Sequence, residues 1–208
     1  MKKTFLLFLT LSAISVAKPR VITVTPNLEI GGALSNTVSS SGESGSRLSP
    51  SLGAAFEVKS TINKERLYNN LLDKFDVEVG AGIKQDFDIT DAKAKQVYGS
   101  TTLYMVAESD YEITKELSAY IQTKGGVGVD YGVTDNAKFA AKGSSGNYRA
   151  LPCVIATIGG GMEYKNFRAG IEVGLNGGIG LDNFNKFSPK LKFGVKLGYD
   201  IPVANFNI

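Results

Sequence analysis

Residues 167–181 read FRAGIEVGLNGGIGL, and this stretch decides the fold. Phe167, Ala169, Ile171, Val173, Leu175, Ile179 and Leu181 share one parity, while Arg168, Gly170, Glu172, Gly174, Asn176 and Gly180 share the other. A period of two is that of a β-strand with one apolar and one polar face, because successive side chains point to opposite sides of the sheet. Fifteen residues is long for a strand of a soluble sheet, where five or six is usual.

The pattern recurs on both sides. Leu191, Phe193, Val195, Leu197, Tyr199 and Ile201 alternate with Lys192, Gly194, Lys196, Gly198 and Asp200. Val154, Ala156, Ile158, Met162 and Tyr164 oppose Thr157, Gly159, Gly161 and Glu163, and Leu117, Ala119, Ile121, Val127 and Val129 oppose Ser118, Gln122, Lys124 and Asp130. Phe75, Val77, Val79, Ala81 and Ile83 alternate with Asp76, Glu78, Gly80, Gly82 and Lys84. Weaker versions lie at 22–30, at 51–59 and, poorest, at 101–108, where Leu103 and Met105 stand against Tyr104 and Glu108. About eight strands result, each near ten residues or longer.

One turn tests the parities internally. A two-residue loop at Lys165-Asn166 sets Tyr164 opposite Phe167 and Glu163 opposite Arg168. The outward parity must then switch from even to odd across the turn, which it does, and opposite charges come to face one another.

Alternation alone does not say which face meets solvent. A lipocalin-like soluble barrel turns its apolar face inward around a lipid; a membrane barrel turns it outward. Here the apolar parities carry no charge through the clear strands, as lipid requires, since a Lys or Arg facing it at mid-depth costs about 2–4 kcal/mol. The polar face is largely Gly with sparse charge, which suits a narrow lumen better than a solvated surface. Aromatics sit at the ends of the apolar faces: Phe75, Phe87, Tyr131, Tyr164, Phe167 and Tyr199. Phe75 to Phe87 corresponds to roughly 40 Å of strand, or about 30 Å once tilted by about 40°. Long connections expected at 31–49, 88–99 and 132–150 alternate with short ones at 112–116 and Lys165-Asn166; the connection at 60–73 breaks the alternation. The reading is all-β: an antiparallel, up-and-down transmembrane β-barrel of about eight strands.

The rest of the 208 residues fits one domain preceded by an export signal. Lys2 and Lys3 precede an apolar run from Phe5 to Val16, and Ser15-Val16-Ala17 supplies small residues for cleavage. Residues 1–17 are therefore expected to be removed, leaving 18–208 as the barrel. No Cys near the cleavage point supports a lipid anchor, and Cys153, the single cysteine, has no partner for an intrachain disulfide. A formal net charge of +3, evenly mixed in sign, gives no case for nucleic acid as partner.

In pattern, over nearly its whole mature length, the chain resembles the small eight-stranded bacterial outer-membrane barrels of the OmpX, Opa and OmpA-transmembrane-domain kind. A closing-strand signal of that group is matched by Lys192-Phe193-Gly194 followed by Leu197 and Tyr199. The chain departs from it by continuing to Ile208, which leaves the last strand open. The resemblance implies a monomer in outer-membrane lipid, inserted by the barrel-assembly machinery and without a cofactor.

Chemistry is scarce. The sequence has no His, so Ser-His-Asp and Cys-His nucleophile systems and His-based metal sites are excluded. Asp86, Asp88 and Asp91 cluster where a solvated outer loop is expected, and Gly159-Gly160-Gly161 lacks the Gly-Lys-Ser/Thr of a phosphate loop. No catalytic, cofactor or metal residue is therefore assigned. Two constellations remain. The lumen face gathers Glu29, Glu57, Asp76, Glu78, Glu163, Glu172 and Asp200 against Lys84, Lys124, Arg168, Lys192 and Lys196. It is either an ion path or a paired network, and the bore of eight strands favours the network. Within it Glu163 is expected to face Arg168, and Glu172 to lie diagonally near Lys196. The segment 138–149 interleaves Lys138, Phe139, Lys142, Tyr148 and Arg149, a loop suited to anionic sugars or a host surface protein. The Ser/Gly-rich tract 39–46 is expected to be flexible. The function expected is non-enzymatic: a structural, surface-contact (adhesin-like) envelope barrel. A narrow channel and a soluble periplasmic lipid-binding barrel are the alternatives.

Overall fold

The structure, a computed structural model, describes residues 21–38, 44–61, 75–91, 96–133, 148–179 and 187–205. The expected export signal and the start at Lys18 lie outside the described residues. Those described are almost entirely strand: β1 (Val21–Val38), β2 (Ser44–Thr61), β3 (Phe75–Asp91), β4 (Gln96–Thr114), β5 (Leu117–Val133), β6 (Tyr148–Tyr164), β7 (Phe167–Ile179), β8 (Phe187–Tyr199) and β9 (Ile201–Asn205). From β1 to β8 each strand pairs antiparallel with its neighbour in sequence, and β1 pairs with both β2 and β8, closing the sheet. β9 continues β8 past a break at Asp200 and pairs with the start of β1. The barrel thus has eight staves, and the residues beyond Tyr199 prolong the closing one.

The register fixes the size of the barrel. Cross-strand partners lead from Thr25 to Glu57, Gly82, Tyr104, Gly126, Ile155, Asn176 and Lys190, then back to β1 at Ser35, ten residues beyond the start. Eight staves with a stagger of ten imply strands tilted by about 40° and a backbone radius of about 8 Å. Such a bore admits side chains and little else.

The two faces separate sharply. Ile171 is 65% exposed and its neighbour Glu172 is 3%; Leu103 is 62% exposed and Tyr104 is 3%. Outward positions carry Leu28, Ile30, Phe56, Ile83, Val127, Ile158, Val195 and their like, all exposed. Nearly everything buried is polar or charged. This is a soluble protein turned inside out: an apolar exterior that closes on itself, with its backbone hydrogen bonds satisfied within the sheet, is stable only in lipid. The chain is a membrane-spanning barrel, and among the described residues the interior is lined almost wholly by polar and charged groups, which does not suit the soluble lipid-binding alternative. Tyr111, Tyr164, Phe167 and Tyr199 ring the outside at the end that holds the termini, with Phe167 and Tyr199 packed edge to face at 6.3 Å. Phe87 and Tyr131 mark the other end. The polar outward side chain of Gln85 is satisfied locally by Thr101, whose hydroxyl donates at 2.5 Å, and by Tyr131.

Three sequence expectations change. The connections expected at 31–49 and 88–99 are mostly strand, with β1 reaching Val38, β2 starting at Ser44 and β3 and β4 meeting across 92–95. Small polar residues that carry no alternation still complete the backbone ladder, as Asn36–Ser46 and Val38–Ser44 do. For the same reason residues 44–46 of the tract expected to be flexible belong to β2, while 39–43 lie outside the described residues. Asp86 and Asp88, expected on a solvated loop, are buried lumen residues of β3. The Gly159-Gly160-Gly161 run lies within β6 with an uninterrupted register.

Two glycines open the bore for its largest rings. A Cβ at Gly82 would stand 2.6 Å from the Tyr104 ring, and one at Gly170 would stand 2.4 Å from the Tyr120 hydroxyl. A side chain at either position would occupy the space that these rings now fill.

Candidate functional site

Among the described residues, the lumen is where charged and polar side chains concentrate, and it is layered. In the middle layer, a chain of alternating charges crosses the bore. Lys196 of β8 reaches Glu57 of β2 at 3.2 Å, Glu57 reaches Lys124 of β5 at 3.0 Å, and Lys124 reaches Glu172 of β7 at 2.5 Å. Glu172 then meets Lys84 of β3 at 3.3 Å, and Lys84 meets Glu29 of β1 at 2.5 Å. Six charged groups from six staves are joined without a gap. Neutral groups complete the layer. Tyr104 of β4 donates to Glu57 at 3.0 Å and its ring lies 5.1 Å from the Lys124 ammonium, while Gln122 accepts from Lys196 at 3.2 Å and donates to Glu172 at 3.4 Å.

A second layer lies toward the terminal end. Lys59 sits between Glu78 at 2.7 Å and Glu108 at 2.6 Å. Arg168 reaches Glu108 at 2.7 Å, Asp200 at 3.4 Å and Glu163 at 4.0 Å, with its guanidinium 4.0 Å above the Tyr120 ring. A third layer lies toward the opposite end. Lys192 is 3.3 Å from both Asp86 and Asp88, and Lys190 is 3.8 Å from both Asp88 and Asp130. Asn176 donates to Ser100 at 3.3 Å.

Two spaces remain among these layers. One of 20 Å³ is enclosed by Glu29, Lys84, Asp86, Glu172 and Lys192, room for about one water. The other, of 320 Å³, opens at the terminal end and is lined by Asp76, Glu78, Asp110, Glu163 and Asp200 among others. The middle layer lies between the two.

Of the twelve residues expected on the lumen face, Glu29, Glu57, Lys84, Lys124, Glu172 and Lys196 form the middle layer, Glu78, Glu163, Arg168 and Asp200 belong to the terminal layer, Lys192 to the third, and Asp76 lines the terminal cavity. Glu163 and Arg168 are cross-strand partners in register. Glu172 and Lys196 sit on adjacent staves but do not form an ion pair. Glu172 is held by Lys84 and Lys124, and Lys196 by Glu57 and Gln122, because long side chains in so narrow a bore reach the far wall. Lys59 and Glu108, absent from that expectation, are central to the terminal layer. Of the surface-contact residues, Lys138, Phe139 and Lys142 lie outside the described residues. Tyr148 and Arg149 open β6 as partners of Val133 and Gly132, and so belong to a strand, not a loop.

Cys153 is buried on the lumen side among the described residues, without a histidine anywhere in the chain to activate it.

Neither a family model nor a curated relative matches the sequence. Among solved structures, the chain is similar to Neisserial surface protein A at 10% identity and a TM-score of 0.49, over 86% of this chain and 97% of that one. It is similar to Ail, the attachment invasion locus protein of Yersinia pestis, at 10% identity and a TM-score of 0.43, over 88% and 100%. The N-terminal β-barrel domain of Pseudomonas aeruginosa OprF follows at 13% identity and a TM-score of 0.33, over 88% and 100%.

Proposed function

We propose that this protein is a non-enzymatic outer-membrane barrel that moves no solute, braces the envelope and presents its loop-bearing end for contact at the cell surface. The observation that carries this reading is the unbroken crossing of the bore from Lys196 through Glu57, Lys124, Glu172 and Lys84 to Glu29. An ion entering it would have to displace buried, mutually paired charges, and stripping one such charge of its partner costs about 3–5 kcal/mol. The connections at the end away from the termini follow Val38, Asp91, Val133 and Ile179. One of them carries Lys138, Phe139 and Lys142, a basic and aromatic composition suited to sulfated or otherwise anionic sugars.

The test is membrane fractionation with heat-modified gel mobility, followed by protease treatment of intact cells. The mature chain is expected to begin at Lys18, to partition with the outer membrane and to migrate differently folded and boiled. Trypsin is expected to cut at Lys142 on intact cells and to spare Lys165, which lies at the terminal end. A soluble chain, or cleavage confined to Lys165, contradicts the reading.

A further inference from the structure

Between the middle and third layers lies the 20 Å³ cavity, and the polar atoms of its wall do not satisfy one another. Asn176 of β7 is 2% exposed, and its amide nitrogen donates to Ser100 at 3.3 Å and to the Asp130 carboxylate at 3.5 Å. A carboxylate only accepts, so the amide is oriented, and its Oδ1 is left without a hydrogen bond among the described residues. Thr157 of β6 lies in the same wall, and its shielded Oγ1 neither donates nor accepts. Lys192 of β8 is 7% exposed, and its Nζ stands 3.3 Å from both Asp86 and Asp88 with a hydrogen bond aligned to neither. A buried polar atom left unsatisfied costs about 1–3 kcal/mol. Three such residues around one cavity make a cost that an occupant removes.

We propose that this cavity is a binding site for one water molecule, held by Asn176, Thr157 and Lys192 as a structural ligand of the lumen. Size sets the first limit. A water needs about 10–15 Å³ of such space, so 20 Å³ admits one and nothing much larger. Charge sets the second. The wall carries Glu29, Asp86 and Glu172 against Lys84, Lys124 and Lys192, which balance, so an ion of either sign would bring uncompensated charge into a buried place. Hydrogen bonding sets the third. Asn176 Oδ1 needs a donor, Lys192 Nζ needs an acceptor, and the Thr157 hydroxyl serves as either. A metal cation cannot accept from Lys192 and a halide cannot donate to Asn176, whereas water does both. Three partners is also the usual number for a buried water. Because Glu29, Lys84 and Glu172 share the wall, the water joins the third layer to the middle one.

The test uses the full chain exported to the membrane, extracted and kept folded in detergent micelles, with its isoleucine methyl groups carbon-13 labelled. Ile155 is buried in the same wall, and its methyl carries no exchangeable proton, so it reports a neighbouring water. A water-to-methyl cross-peak with the sign of a long-lived water is expected there. Replacing sodium chloride with rubidium bromide should leave the Ile155 methyl shift unchanged, because no ion enters. Thr157→Ile sets a methyl group in the cavity and removes a hydroxyl, so the cross-peak should fall to background, with heat-modified mobility confirming that the chain folds. Should it not fold, Asn176→Leu replaces the unmatched carbonyl with a methyl from the other stave and should do the same. The lysines remain in both variants, so a signal relayed by their ammonium protons would persist. No cross-peak in the wild type, a cross-peak that persists in every folded variant, or a saturable shift with rubidium bromide overturns the proposal.

Discussion

The middle of the lumen and its terminal mouth are built from the same residue types and solve opposite problems. In the middle, Lys84, Lys124 and Lys196 match Glu29, Glu57 and Glu172 one for one, and each lysine touches a carboxylate on another stave. At the mouth, Lys59 and Arg168 face Glu78, Glu108, Asp110, Glu163 and Asp200, and the surplus carboxylates open onto a cavity. Balanced charge fills the space in the middle, while the surplus of carboxylates at the mouth borders an open one. The difference is set by a few positions on β4 and β5, where Glu108 and Asp110 give way to Tyr104, Gln122 and Lys124.

The most severe way to break this contrast is Lys124→Met. It strips both Glu57 and Glu172 of a shared partner, so the loss should reach about 3–5 kcal/mol, read as a lower urea midpoint in lipid vesicles. Glu172→Gln should cost less, about 1–3 kcal/mol in the same assay, because Lys84 keeps Glu29 and Lys124 keeps Glu57. At the mouth the sign reverses. Asp110→Asn should stabilise the barrel by up to about 1 kcal/mol, since it relieves the like-charge rung that Asp110 forms with Asp76. The smallest effect belongs to Lys165→Met. Its pair with Glu116 spans 3.9 Å between side chains 61% and 57% exposed, so the unfolding midpoint should move by no more than about 0.5 kcal/mol. A large loss from Asp110→Asn with none from Lys124→Met would erase the distinction between the two regions.

The sequence made the staves legible because lipid imposes a strict rule on alternate residues, which β7 and β8 follow apart from Gly177. The Lys165-Asn166 turn even fixed a register, since a two-residue loop leaves only one pairing. The terminal plug was harder to see. On β4 the lumen parity holds Tyr104 and Val106 beside Glu108, and the outward parity holds Thr101 and Ser109, so alternation is weak at Glu108 and fades before Asp110 is reached. Continuing the parity of Tyr104 past 108 is the signal that would have found them. The cross-bore pairs were beyond reach for a different reason. Parity names the face of a residue, but which far-wall residue it meets depends on the ten-residue stagger. That is why Glu172 meets Lys84 and Lys124, not its neighbour-stave Lys196. Asp86 and Asp88 illustrate a third limit: acidic density resembles a solvated loop until Lys192 is placed beside it.

A closed lumen is what planar-bilayer recording of the purified wild-type barrel tests most directly. It predicts no steady conductance above the bare membrane, with ion passage appearing only when the middle layer is cut by Lys124→Met. A steady, ohmic pore in the wild-type protein, unchanged by that substitution, would contradict it.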